Sequence, residues 1–115
     1  MYNKYGAQKS ICCQGHKHDS KKEAERCNEL HLLQRAGVIS NLEVQKRFCL
    51  IPPRKYNRMP NERGWDYIAD FAYNENGKLI VEDTKGYKTK DYIAKRKAFK
   101  DKYCFENEDI LFIET

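Results

Sequence analysis

No run of apolar residues in this sequence approaches the length of a membrane-spanning helix. The first residues, Met1 to Gly6, also lack the hydrophobic region of a secretory signal. Internal repeats, low-complexity segments and domain linkers are absent as well. We therefore expect residues 1–115 to form a single cytoplasmic domain that has no membrane partner.

Cysteine occurs in an odd number, five, which does not favour a framework of disulfides. A chain of this length can build much of its core without them, so we expect reduced thiols in a reducing compartment. The cluster Cys12, Cys13, His16 and His18, followed by Cys27, suggests zinc, but its ligand spacing is incomplete. A small zinc-binding interaction module is therefore an alternative, and Cys27 is interpreted as a small buried hydrophobe.

The net charge is +5, and the basic residues are concentrated in two segments. Residues 85–102 carry eight basic and two acidic side chains, and residues 43–63 carry six and two. Such segments are typical of a surface that binds a polyanion, nucleic acid above all. A lysine-rich solvated surface is the simpler alternative.

The spacing of apolar residues predicts an α/β fold in which helices pack on a central mixed sheet. A helix is expected to begin at Ser20, to bury a face that includes Ala24 and Leu30, and to stop at Gly37. The other expected elements are a small hairpin at 9–18, a strand at 43–50, hairpin arms at 67–74 and 78–84, a helix at 90–103 and a strand at 110–113.

Between two of these strands, residues 52–66 contain all three prolines and four basic residues. A structureless connection of this length inside one domain is usually functional or disordered. It includes Trp65, which we interpret as a core anchor in preference to a platform for a stacked base.

Asn76-Gly77 is a strong signal for a β-hairpin turn between the arms at 67–74 and 78–84. If these two residues form the turn, Asp70 lies opposite Asp83, and Lys85 shares their face because side chains alternate along a strand. Two carboxylates and a lysine then converge on one patch.

This patch predicts a site for Mg²⁺ or Mn²⁺, because such cations prefer oxygen ligands and need only one or two carboxylates. Asp70 and Asp83 supply the pair, and the backbone carbonyl of Thr84 could add a ligand. An ordinary ion pair with Lys85 is the alternative, but opposed like charges in an apolar hairpin are costly unless a cation joins them. A three-residue turn would bring Glu82 toward Asp70 instead, so the second ligand is open between Glu82 and Asp83.

A third carboxylate could come from the first helix, where Glu23 and Glu25 are candidates. Ser20 and Glu23 have the spacing of a capping box, which gives Glu23 a structural role of its own. Both roles are compatible if the start of the helix lies near the sheet edge.

Three segments carry a resemblance: Asp19-Ser-Lys-Lys-Glu23-Ala, Tyr67-Ile-Ala-Asp70-Phe and Val81-Glu-Asp-Thr-Lys85-Gly. Their order and spacing resemble the PD-(D/E)XK nuclease superfamily, in an arrangement similar to phage endonuclease I, which resolves Holliday junctions, and to an uncharacterised family of small phage proteins. The resemblance covers about residues 5 to 114, although Ala69 stands where the motif has proline. It implies an αβββαβ restriction-endonuclease-like core.

The resemblance also implies metal binding by Asp70 and Asp83, a helix carboxylate at Glu23 and a catalytic lysine at Lys85. From it we expect a Mg²⁺- or Mn²⁺-dependent DNA endonuclease of phage type that acts on duplex or branched DNA in the host cytoplasm and is a homodimer. A non-catalytic nucleic-acid-binding protein with the same fold is the main alternative. The side chains expected to contact DNA phosphates are Lys88, Lys90, Lys95 and Arg96.

Overall fold

Helices pack on both faces of a four-stranded mixed sheet in the computed structural model, which describes residues 20–115 and, before them, the backbone of two short strands. The elements are β1 (Ser10–Ile11), β2 (Lys17–His18), α1 (Lys21–Arg35), β3 (Ser40–Ile51), β4 (Trp65–Glu75), β5 (Lys78–Asp83), α2 (Lys90–Phe99), a π-helix (Lys100–Cys104) and β6 (Ile110–Glu114). The predicted α/β fold is confirmed, and the order from α1 onward is αβββαβ.

Strands β1 and β2 pair antiparallel, as expected for the small hairpin at 9–18. The zinc alternative depends on Cys12, Cys13, His16 and His18. The first three residues and the side chain of His18 lie outside the part of the chain that the structure describes. Among the described residues, no helix is both long and apolar enough to cross a membrane.

A capping serine and a left-handed glycine mark the two ends of helix α1, as the sequence predicted. The Ser20 hydroxyl accepts a hydrogen bond from the Glu23 amide (3.1 Å), which satisfies one of the unpaired donors of the first turn. Gly37 follows the last turn with φ +78°, a conformation that glycine adopts without steric cost. Cys27 and Leu30 are fully buried against the sheet, so the expected apolar face and the interpretation of Cys27 are confirmed.

The sheet order is β3-β4-β5-β6, with antiparallel pairs except for the parallel pair β5-β6. Glu75 pairs with Lys78 across a two-residue turn, and both Asn76 (φ +53°) and Gly77 (φ +77°) are left-handed, as a type I′ turn requires. The predicted hairpin register is therefore confirmed, and the three-residue turn is excluded.

Each face of the sheet has its own hydrophobic core. The α1 core is built by Ala24, Cys27, Leu30, Ile39, Phe71, Tyr73 and Ile80. The α2 core is built by Phe48, Leu50, Tyr67, Ala69, Ala72, Val81, Tyr92 and Phe99. Strand β4 contributes side chains to both, so the hairpin is covered on both sides.

The alternation of β4 reverses at Asp70, which corrects the simple two-face pattern of an undisturbed strand. Ala69 packs in the α2 core with Ala72, whereas Phe71 packs in the α1 core. On β3, Val44 packs against the α1 core and Phe48 lies in the α2 core, so the neighbouring strand reverses as well. Since Val44 pairs with Phe71, both strands change face at the same place in the sheet.

The connection between β3 and β4 is more ordered than its prolines predicted. Strand β4 already begins at Trp65, and Arg54 and Glu62 exchange two backbone hydrogen bonds of 3.0 and 2.9 Å. Residues 52–64, which we call the arm, therefore extend the β3-β4 pair outward. The expectation of a structureless stretch over 52–66 was therefore wrong for residues 65–66, which belong to β4, and for the Arg54–Glu62 bridge, whereas the rest of 52–64 forms no helix or strand.

A buried ion pair attaches helix α1 to the sheet. Arg26 donates to both carboxylate oxygens of Glu82, at 2.6 and 3.0 Å, and Glu82 is completely buried. The hydroxyls of Tyr73 (2.7 Å) and Thr115 (3.2 Å) donate to the same carboxylate. The charge of Glu82 is thus neutralised by a two-pronged guanidinium contact, which is the strongest geometry available to such a pair.

Replacing Arg26 by Met should leave the buried carboxylate of Glu82 without its cationic partner. We expect this change to lower the free energy of unfolding by about 3 kcal/mol. Urea unfolding at pH 7 measures this loss. The double change Arg26→Met with Glu82→Gln should recover part of it, because a neutral amide is less costly to bury. Glu29→Gln is the control, since it removes only the exposed partner of Arg26. An Arg26→Met variant no less stable than Glu29→Gln would contradict the assignment.

Candidate functional site

Asp70 and Asp83 meet at the open end of the β4-β5 hairpin. The regular ladder ends with Phe71 opposite Glu82, and the next step along the same register brings the two aspartates together. The Asp70 amide donates to Asp83 Oδ1 at 3.2 Å, a side-chain contact in place of a backbone one. The sequence prediction that these two carboxylates face each other agrees with this geometry.

Thr84 fixes the orientation of the Asp70 carboxylate. Its amide and its hydroxyl both donate to Asp70 Oδ2, at 2.9 and 3.2 Å. Asp70 Oδ1 is left on the side that faces Lys85. The suggested role of the Thr84 carbonyl as a metal ligand remains a prediction, because these contacts are made by its two donors.

Lys85 lies near both aspartates, at a distance from each that is longer than a typical hydrogen bond. Its Nζ is 3.7 Å from Asp70 Oδ1 and 3.5 Å from Asp83 Oδ1, and it stands 5.2 Å above the centre of the Tyr92 ring. Burial alone would lower the pKa of Lys85, but the charges of Asp70, Asp83 and Glu23 outweigh burial and raise it. Lys85 is therefore held as a cation.

The Asp83 carboxylate has fewer hydrogen-bond partners than a buried carboxylate normally has. It is completely buried, and its Oδ2 has no hydrogen-bond partner among the residues that the structure describes. Burial raises the pKa of Asp83 to about 6, although Lys85 and the Asp70 amide act in the opposite direction. A buried, unpartnered carboxylate oxygen beside a second carboxylate fits a bound divalent cation, which would supply the missing charge.

Glu82 is excluded from this patch by its own contacts. It points to the other face of β5, where Arg26, Tyr73 and Thr115 engage both of its oxygens. Adjacent acids on one strand thus have different environments: donors engage both oxygens of Glu82, whereas Asp83 Oδ2 has no hydrogen-bond partner among the described residues. Of the two ligands left open by the sequence, the structure brings Asp83 to Asp70.

Helix α1 brings Glu23 to the border of the site. Glu23 is buried (1 % exposed), accepts from the Gln45 side-chain amide at 3.3 Å and contributes to the raised pKa of Lys85. Its own amide donates to the Ser20 hydroxyl, so Ser20 is the N-cap that the sequence predicted. Among residues 20–115, however, no three His, Cys, Asp or Glu side chains are close enough to hold one metal together. The role of Glu23, as a further ligand or through water, stays a prediction.

Two side chains at the site were not singled out by the sequence. Gln45 lies where β3 changes face, has φ +57° in the middle of a strand and reaches Glu23. Tyr92 underlies Lys85 and donates to Glu114 at 2.6 Å. In the sequence, Tyr92 is one of the apolar residues spaced along a single face of the helix expected at 90–103, which does not place it beside Lys85. No local signal marks Gln45, because its role depends on contacts with a distant segment.

The four expected phosphate contacts divide into two pairs. Lys88 and Lys90 are exposed, just beyond Lys85. Lys95 lies 3.3 Å from Asp91, and Arg96 contacts Glu114 at 3.0 Å, so part of their charge is neutralised within the protein. Their role in binding DNA stays a prediction.

In the absence of metal, ionised Asp83 should reduce stability above pH 6. Its folded pKa of about 6 is above the ordinary value of 3.8, so the proton is held more tightly in the folded state. Its contribution to stability is complete below pH 4 and is lost as the pH rises through 6. The loss is on the order of 3 kcal/mol, at about 1.4 kcal/mol per pKa unit. Asp83→Asn should therefore be more stable than the unsubstituted protein at pH 8.

Urea unfolding in EDTA at pH 4.5 and pH 8 measures this difference. The exposed Asp101→Asn is the control and should show no comparable gain at pH 8. A gain for Asp83→Asn that is the same at both pH values, or absent, would contradict the assignment.

Glycine should be better tolerated than alanine at position 45. A left-handed backbone costs a residue with a side chain about 1 kcal/mol or more, and glycine avoids this cost. We expect Gln45→Gly to exceed Gln45→Ala in free energy of unfolding by about 1 kcal/mol. At the neighbouring Arg47, where φ is not positive, the order should reverse. If alanine were more stable than glycine at both positions, Gln45 would not be left-handed in solution.

Comparison with known proteins identifies a family without a described activity. Searches of curated proteins and of solved structures found no significant match. A family model described as "Protein of unknown function (DUF1064)" matches residues 2–111. The match spans nearly the whole chain, and the protein therefore belongs to the DUF1064 family.

Proposed function

We propose that this protein is a metal-dependent DNA endonuclease with its active site at Asp70, Asp83 and Lys85. The observation that carries the proposal is the environment of Asp83, a buried carboxylate with an unpartnered oxygen, next to a second carboxylate and a lysine. Such an arrangement reduces folding stability, and perturbed ionisable groups of this kind concentrate at functional sites. The αβββαβ order and the resemblance to PD-(D/E)XK nucleases support the same activity.

Asp70 and Asp83 would hold Mg²⁺ or Mn²⁺, with water completing the coordination. When bound, such an ion supplies an activated water and neutralises charge at the phosphorus and the leaving oxygen. Thr84 keeps the Asp70 carboxylate in place through two hydrogen bonds, which preorganises the ligand pair. Gln45 holds Glu23 near the site, where the carboxylate can assist through water.

Lys85 acts as a cation in this proposal. Because its pKa is raised, it retains its proton at neutral pH and does not serve as a general base. It is suited to stabilise the negative charge that develops on the phosphoryl oxygens in the transition state. The Tyr92 ring below it restricts where its ammonium group can lie.

The substrate that fits best is duplex or branched DNA, as in the resolvases that the chain resembles. Exposed Lys88 and Lys90 would contact phosphates near the cut, and Lys95 and Arg96 would contribute further along α2. A homodimer would supply two active sites for two strands. The cytoplasm is the proposed compartment, in keeping with the thiols of Cys49 and Cys104, which form no disulfide among the described residues.

Cleavage of labelled linear, flap and four-way-junction DNA in Mg²⁺ or Mn²⁺ tests the proposal. Asp70→Asn, Asp83→Asn and Lys85→Ala should each lower the rate by about 100-fold or more, because each removes charge that acts in the transition state. The matched controls are Asp101→Asn and Lys97→Ala, which alter the same residue types at exposed positions.

Two outcomes would sink the proposal: no metal-dependent cleavage of any substrate, or full activity in all three site variants. DNA binding without cleavage would favour the non-catalytic nucleic-acid-binding alternative. Tightly bound zinc in stoichiometric amount would favour the interaction module.

A further inference from the structure

The arm carries a concentration of positive charge well away from the candidate active site. Between Pro52 and Gly64 it bears four basic residues, Arg54, Lys55, Arg58 and Arg63, against one acidic residue, Glu62. All five are exposed. The ion pairs found among the described residues involve none of the four basic side chains.

Contacts with the rest of the fold fix the arm at its base. The Tyr103 hydroxyl donates to the Cys49 carbonyl at 2.6 Å, and Lys102 Nζ donates to the same carbonyl at 3.0 Å. Gly64 approaches Pro53 so closely that a Cβ at this position would lie 3.1 Å from Pro53 Cδ. These contacts hold the end of β3, where the arm begins, against the π-helix.

A cleft of about 560 Å³ lies along this base. Its lining includes Arg54, Tyr56, Arg63 and Trp65, together with one carboxylate, Glu62, so the charge of the cleft is net positive. Tyr56 is 42 % exposed, and Trp65 is half-buried, because it also packs against the α2 core. Trp65 is thus the core anchor that the sequence suggested and, at the same time, part of an open surface.

Two aromatic rings and two guanidinium groups in one cleft fit a particular kind of ligand. Aromatic rings accept the face of a nucleobase, and arginine contributes both phosphate contacts and stacking. The volume lies within the range of sites for small ligands, so one nucleotide can be accommodated. A base within a duplex does not expose its face, so the ligand must be unpaired.

We propose that the cleft at the base of the arm binds an unpaired nucleobase and its adjoining phosphates. The binding itself is independent of the proposed nuclease activity. Its consequence for substrate choice rests on that activity: DNA with a single-stranded segment would be preferred. Trp65 and Asp70 are both on β4, about 17 Å apart along the strand at 3.3 to 3.4 Å per residue. This separation corresponds to the rise of about five base pairs of double-helical DNA, at 3.4 Å each.

Trp65 is the sole tryptophan and so reports on this cleft alone. We would titrate the protein in EDTA with an oligothymidylate of twelve nucleotides and follow Trp65 fluorescence. Saturable quenching is expected, whereas a blunt duplex of twelve base pairs should produce little. Absence of quenching by the single strand, or equal quenching by the duplex, would overturn the proposal.

The side chains of the cleft are tested by variants at exposed positions. Tyr56→Ala should weaken binding of the single strand about tenfold, the value of one stacked base, and Tyr56→Phe should retain it. The double change Arg54→Ala with Arg63→Ala should reduce the slope of log K against log salt concentration by about 1.4. The control, Lys97→Ala with Lys100→Ala, removes the same charge elsewhere and should preserve the quenching. Unchanged affinity in Tyr56→Ala would contradict the stacking role.

Cleavage and binding failures can be told apart. Asp83→Asn should bind the single strand normally, because the active site does not contribute to the cleft. Quenching without cleavage of any substrate would leave the cleft in place and remove the nuclease proposal. Cleavage without quenching would remove the cleft proposal and leave the nuclease proposal in place.

Discussion

The two-residue turn at Asn76-Gly77 is the constraint on which the rest of this structure depends. It fixes the β4-β5 register, and a slip of one residue would turn every following side chain to the opposite face. In the observed register, Glu82 enters the α1 core to meet Arg26, and Asp83 turns toward Asp70 and Lys85. The shifted register would leave Arg26 without its carboxylate and would bring Glu82 toward Asp70 in place of Asp83.

A second constraint acts where β3 and β4 both change face, at Gln45 and Asp70. Because of this reversal, the same two strands serve both cores, and Asp70 lies at the boundary between them. Groups from both sides of the sheet can then reach one place: Glu23 from α1, and Lys85 with Tyr92 from the α2 side. The left-handed backbone of Gln45 is the local cost of this arrangement, and such costs concentrate at functional sites.

The contrast between Glu82 and Asp83 separates an acid with a structural role from an acid of the proposed active site. Both are fully buried neighbours on one strand. Glu82 is neutralised by Arg26 and two hydroxyls, so its charge strengthens the attachment of α1. Asp83 has an unpartnered oxygen and a raised pKa, so its charge weakens the metal-free fold. Burial is equal in the two cases, and the supply of partners decides the role.

Local signals in the sequence determined a large part of this protein. Ser20 and Gly37 set the ends of α1, the apolar spacing set the order of helices and strands, and Asn76-Gly77 set the opposition of Asp70 and Asp83. Each of these signals acts over a few residues, through capping, periodicity or turn geometry, and is therefore legible in one segment of chain.

The tertiary structure alone decided four further features. These are the reversal at Gln45 and Asp70, the pairing of Arg26 with Glu82, the stacking of Lys85 on Tyr92 and the pairing within the arm at Arg54 and Glu62. The first two join segments far apart in the sequence, the third depends on how α2 packs on the sheet, and the last overrides the local preference of a proline-rich stretch. Their energies depend on burial and on which partners lie within reach, and neither exists until the chain has folded.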